Sequence, residues 1–109
     1  MDENFVMHDR SFNWNKSKNL SNIRKHGIPF KEAATVFLDP NATLIPDIDH
    51  SLDEDRYIVV GMSKKLKILM VCHCYRDEVD KEINKEVIRI ISARPATKQE
   101  QKIYGDGGA

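Results

Sequence analysis

Long apolar runs are missing from this chain. Nowhere does it stay apolar for the about 20 residues a helix needs to cross a bilayer. Its N-terminus lacks the basic-then-apolar order of a signal peptide, so a cytoplasmic protein with no membrane contact is expected. Cysteine is scarce. Cys72 and Cys74 stand one residue apart. On a strand they share a face, so they cannot build a disulfide framework, and a reducing compartment fits. Net charge is absent too: 17 basic residues balance 17 acidic ones. Overall charge therefore gives no reason to expect nucleic acid as a partner. No Gly-rich phosphate loop, Gly-x-Ser-x-Gly or Cys-x-x-Cys occurs, which leaves nucleotide-dependent chemistry and serine hydrolysis unsupported.

What is present is a charge-rich chain, 31% Asp, Glu, Lys and Arg, of 109 residues. That length holds one domain around one two-layer core. A single domain is expected over residues 12–104, with residues 1–11 as a poorly ordered extension and 105–109 as a flexible tail. Charge is segregated along the sequence. Residues 10–31 carry Arg10, Lys16, Lys18, Arg24, Lys25 and Lys31 with no acid, whereas 39–55 carry Asp39, Asp47, Asp49, Asp53, Glu54 and Asp55 with no base. Such a pattern permits a basic face, or two segments that neutralise each other across the fold.

The pattern of apolar residues predicts the order of elements. Phe12–Trp14 reads as a short edge strand, and Asn15 as the N-cap of a helix over about 16–26 whose apolar stripe is Leu20 and Ile23. Gly27 suits the stop. Phe30, Ala33, Ala34 and Phe37 fall at i, i+3, i+4 and i+7, one face of a second helix ended by Asp39-Pro40. Residues 42–47 read as a strand that Pro46 confines to an edge. Three β-type runs follow at 57–62, 66–75 and 87–92, the last two joined by the charged link 76–86. Ser51 and Glu54 have capping-box spacing for one helical turn, and Thr97 and Glu100 repeat it for a final helix to about Tyr104. The fold class expected is α+β. Two N-terminal helices pack on an antiparallel sheet of about four strands, with a C-terminal helix added.

Metal chemistry finds little support. A closed site needs four ligands, and in Cys72-His73-Cys74 the histidine points away from both thiols. The acidic segment lacks the spacing and the glycine of a calcium loop. Neither a metal nor a cofactor is expected. What remains is a set of polar groups at strand ends: Glu54 and Arg56, His73 and Arg76, Ser92 and Arg94. Metal-free RNA cleavage needs a base for the 2′-hydroxyl, an acid for the leaving oxygen and fixed positive charge at phosphorus. Histidine, glutamate and arginine supply those roles. Each residue also has an ordinary explanation: Arg94 in a salt bridge, His73 as a satisfied half-buried histidine, Glu54 as a cap.

Three segments in order, FNWNKSKNLSNIRKHGIPFKEAATVFLDP, DHSLDEDRYIVVGMS and RIISARPATKQEQKIY, resemble the BrnT-type toxins of bacterial toxin–antitoxin modules over about residues 12–104. The resemblance implies a fold like the RelE ribonuclease toxins and a metal-independent endoribonuclease that arrests growth. It also implies a hetero-oligomer with a cognate antitoxin, a small DNA-binding protein of the BrnA kind. Carried over by motif, it favours Lys25, His26, His50, Glu54, Arg56, Arg76 and Arg94, with Ser92, Thr97 and Tyr104 nearby. On this reading Arg94, Arg56 and Arg76 hold phosphate and His73 or Glu54 moves protons. Lys16, Lys18, Arg24, Lys25, Ser92 and Thr97 meet the RNA. The alternative is a non-catalytic RNA- or partner-binding module with a degenerate toxin fold. The chain departs from the family pattern at residues 74–76 and in the insert 77–86.

Overall fold

The computed structural model describes residues 1–50 and 54–105, with Asp80 described by its backbone alone. The expected helical turn from Ser51 and the tail at 106–109 lie outside the described residues. Six strands run in the order β1 (Asp2–Met7), β2 (Arg10–Asn15), β3 (Thr43–Pro46), β4 (Tyr57–Met62), β5 (Ile68–Asp80) and β6 (Ile83–Pro95). Helices α1 (Lys16–His26) and α2 (Phe30–Ala34) lie between β2 and β3, and α3 (Lys98–Gln101) follows β6.

The sheet is larger than the sequence predicts and is mixed. Its spatial order is β1-β2-β6-β5-β4-β3, with β2 parallel to β6 and every other pair antiparallel. The expected four-stranded antiparallel sheet with two N-terminal helices is therefore corrected; the α+β class holds. Two strand segments were hidden. The first is β1, within the residues expected to be unordered. It turns back at His8 and Asp9, both with positive φ (48° and 64°), a hairpin geometry usually marked by glycine. Phe5 of β1 then rests on Phe12 and Trp14, with ring centroids 6.3 and 6.0 Å apart, and Glu3 accepts the Trp14 indole N–H at 2.9 Å. So β2 is an interior strand, not an edge. The second hidden segment is the insert 77–86, which extends β5 and β6 into a long hairpin through Lys81 and Glu82, again both at positive φ.

The helical layer also differs. α1 starts where expected: the Asn15 side chain accepts from the Lys18 amide at 3.0 Å, and Gly27 closes it at φ 71°. But its predicted stripe faces out, with Leu20 47% and Ile23 37% exposed. The buried face is amide. Asn22 donates to the carbonyls of Ile28 and Ala93 (2.8 Å each) and accepts from the Ala93 amide (3.1 Å), tying α1 to β6. Asn19 accepts from the Phe30 amide at 2.8 Å. The second helix is one α-turn that tightens into a 3-10 turn over Thr35–Leu38. Thr35 bends it there by donating its hydroxyl to the Glu32 carbonyl at 2.6 Å. Phe30, Ala33, Ala34 and Val36 still reach the core, against Phe12, Trp14, Leu69, Val71, Ile88 and Ile90. On the other face α3 and its flank cover only one end, where Ile103 and Tyr104 pack on Val60, Met70 and Ala96. Among the described residues the rest of that face stays open.

Candidate active site

Alternation along the strands decides which side chains meet on the open face. Opposing pairs across β5 and β6 are Met70 with Arg94, Cys72 with Ser92 and Cys74 with Arg89, with a bulge at Cys72/His73. Ile58 of β4 stands beside Cys72. Ile58, Met70 and Cys72 floor a depression of about 260 Å³ whose walls are Asp47, His50, Arg56, Ile91, Ser92 and Arg94. Two guanidinium groups and an imidazole thus share one concavity.

The loop before β4 supplies the imidazole. Asp47 is held to the sheet by its amide, which donates to the Arg56 carbonyl at 2.9 Å. Three residues on, His50 brings Nδ1 to 3.1 and 3.2 Å from the two Asp47 carboxylate oxygens. A carboxylate only accepts, so Nδ1 carries the hydrogen and Nε2 is left as the nitrogen able to take a proton. Below them Cys72 approaches the same carboxylate at 3.7 Å. Burial, with Asp47 beside it, pushes the Cys72 thiol up to about 11, so it stays protonated and is no nucleophile at neutral pH.

Arg94 enters from the end of β6. Its Nη1 and Nη2 each lie 2.7 Å from a different oxygen of Glu100. That bidentate pair raises the arginine and, with the Thr97 amide, draws Glu100 down to about 2. Glu100 at the same time completes a capping box with Thr97. Arg56 reaches Glu54 at 3.9 Å, and Glu54 reaches Arg76 at 3.5 Å, so these three form a row at the pocket's side. Arg89, on the same face, is taken by Asp2 and Asn13 (2.9 and 3.1 Å).

The structure thus brings together Arg94, Arg56 and Ser92, with Glu54 and Arg76 adjoining. His50, which the family resemblance also favours, joins them in the depression; the remaining sequence candidates lie elsewhere. His73 lies on the opposite face, 0% exposed, with its ring edge-on to Phe37 at 4.8 Å and to Tyr75 at 5.2 Å. Its Nδ1 donates to the Val71 carbonyl and its Nε2 accepts from the Tyr75 hydroxyl, both at 3.1 Å. Burial holds it neutral, down to about 4. Lys16, Lys18, Arg24, Lys25 and His26 are exposed on α1, on that same helix-bearing side. Thr97 caps α3, and Tyr104 bonds Asp39 away from the depression. Asp47 was not singled out by sequence; its one signal is the three-residue spacing to His50.

The buried histidine yields a stability prediction. Between about pH 6.5 and 4 the unfolded chain binds a proton at this position that the folded chain refuses, so stability falls as pH falls through that window. The cost is on the order of 3 kcal/mol at its acid end. A His73→Phe variant, similar in shape, is expected to lose less stability across it in denaturant titrations. Parallel losses in the two proteins would assign the acid sensitivity elsewhere.

Comparison with known proteins now bears on the site. The family model described as the ribonuclease toxin BrnT of type II toxin–antitoxin systems matches residues 14–100. The chain belongs to the BrnT ribonuclease toxin family. Among solved structures, the BrnT ribonuclease toxin of Brucella abortus superposes with a TM-score of 0.52 at 25% identity, covering 78% of this chain and 94% of that one. No curated protein sequence matches. The BrnT match begins at Trp14, so it includes α1, all the pocket residues and Glu100, while β1 and its turn precede it.

Proposed function

We propose that this BrnT family member is a metal-independent endoribonuclease working in the cytoplasm from the pocket on the open sheet face. Arg94 and Arg56 grip the scissile phosphate, and their positive charge meets the charge that develops at phosphorus. His50, oriented by Asp47, takes the 2′-hydroxyl proton. The 2′-oxygen attacks phosphorus and the bond to the 5′-oxygen breaks; that oxygen takes a proton from solvent, leaving a 2′,3′-cyclic phosphate and a 5′-hydroxyl end. Glu54 aligns Arg56 with Arg76, which extends the grip to a neighbouring phosphate. Ser92 borders the reacting group. The observation that carries this reading is the convergence of Arg56, Arg94 and the Asp47–His50 pair on one depression.

Cleavage of this kind in the cell arrests growth, and a BrnA-like antitoxin in a hetero-oligomer silences it. The exposed mixture of Leu20, Ile23 and the basic residues of α1 fits a partner with acidic and apolar groups. A stable complex needs about 1,000 Å² of buried surface.

The test is to incubate the purified chain with end-labelled RNA in excess EDTA. New 5′-hydroxyl ends are expected, at a rate that EDTA leaves unchanged. RNA bound but uncut would favour the non-catalytic module, and cleavage lost with EDTA would point to a metal.

A further inference from the structure

A guanidinium has five N–H donors in a fixed plane, and the surroundings of Arg94 dispose of three. One hydrogen of Nη1 and one of Nη2 go to the two Glu100 oxygens at 2.7 Å each. The second hydrogen of Nη1 goes to the Pro95 carbonyl at 3.3 Å. Among the described residues nothing else is bonded to Arg94. The hydrogens left are Nε–H and the outer one of Nη2, which run parallel along one edge of the plane. That edge is a ready fork for two phosphate oxygens.

We propose that Glu100 is a positioning residue: it locks the guanidinium so that the Nε/Nη2 edge is the one Arg94 presents to RNA phosphate. The idea rests on the role given to Arg94 above and adds the residue that fixes its geometry. Glu100 is itself anchored twice. Its Oε1 accepts from the Thr97 amide at 2.9 Å while its own amide donates to the Thr97 hydroxyl at 3.1 Å. The turn after α3 is pinned by Ile103 and Tyr104 on the sheet. The lock therefore transmits the placement of α3 to the plane of the arginine. A carboxylate beside Arg94 also competes with phosphate for its charge. Glu100 is thus expected to cost affinity for RNA while raising the rate of the bound complex.

Glu100→Gln isolates this role, because glutamine at the same position still completes a capping box. Its amide offers one acceptor where the carboxylate offered two, so the double bond to Arg94 is lost. Single-turnover cleavage at saturating RNA is expected to fall about tenfold or more. Affinity for a 2′-O-methyl RNA, which cannot be cut, is expected to hold or to tighten by about threefold. In an Arg94→Lys background, where no fork exists, the same substitution is expected to change the rate by less than about twofold. A Glu100→Gln rate close to wild type, alongside a strongly slowed Arg94→Ala, would overturn the positioning role and leave the cleavage reading standing. An equal loss in the Arg94→Lys background would overturn it too, since a merely structural contribution does not depend on the arginine. A fully active Arg94→Ala would instead sink the underlying reading.

Discussion

Replacing Arg94 with alanine is expected to slow RNA cleavage about 10²–10³-fold and to abolish growth arrest while the protein stays folded. The side chain is 41% exposed and its partner Glu100 can return to water, so little packing is lost. Its proposed work is confined to phosphate. Removing a fixed donor aimed at developing charge costs about 10²–10³-fold in rate. With Arg56 also on the phosphate, the residual rate is expected to come from that second arginine and from His50. The comparison is cleavage of labelled RNA by the two purified proteins, together with colony formation on expression without antitoxin. An unchanged melting midpoint would confirm that the loss is chemical. Full toxicity in the variant would remove Arg94 from the mechanism.

The second large effect is on stability. Asn22→Leu is expected to destabilise the fold severely, although leucine suits both helices and cores. Three buried backbone groups, the carbonyls of Ile28 and Ala93 and the amide of Ala93, lose their partner at once. At about 1–3 kcal/mol for each group left unpaired, a loss of about 3 kcal/mol or more follows. The melting midpoint should drop by roughly 10–20 °C. Leu20→Ser on the outer face should shift stability by about 0.5 kcal/mol or less. If the leucine variant melts with wild type, the amide anchor does not hold α1 in place.

Those two positions also mark where sequence reasoning succeeds and fails. Arg94 stood out because a β-branched run, a proline and a capping pair bracket it, and all three are local signals. The capping box at Thr97 and Glu100, the N-cap Asn15, the stop at Gly27 and the edge strand ended by Pro46 were legible for the same reason. Asn22 was not. A buried amide looks polar in any periodicity, so Leu20 and Ile23 were assigned the inner face that Asn19 and Asn22 hold. The extra strand β1 escaped because its turn uses His8 and Asp9 rather than glycine, and the parallel pairing of β2 with β6 joins residues far apart in the chain. For His73, alternation correctly separated it from the cysteines on either side but could not say which face was open. The Glu100 clamp was half visible: its capping role is a spacing, whereas its grip on Arg94 depends on how α3 folds back.

The clamp sets an acid limit as well. Because Arg94 and the Thr97 amide depress Glu100 to about 2, its stabilising contribution is present above about pH 4.5 and fades as pH falls towards 2. Throughout the neutral range the carboxylate stays charged. A change in cleavage rate across that range therefore does not come from this pair.

Everything in the account turns on phosphate entering the depression between β4, β5 and β6, and the most direct measurement is NMR titration with 2′-O-methyl RNA. Addition of the RNA is expected to move the Nε–H signals of Arg94 and Arg56 and the ring signals of His50. The ring of His73 and the amides of α1 should stay in place. Shifts centred on Lys16–His26, with both arginines silent, would contradict it.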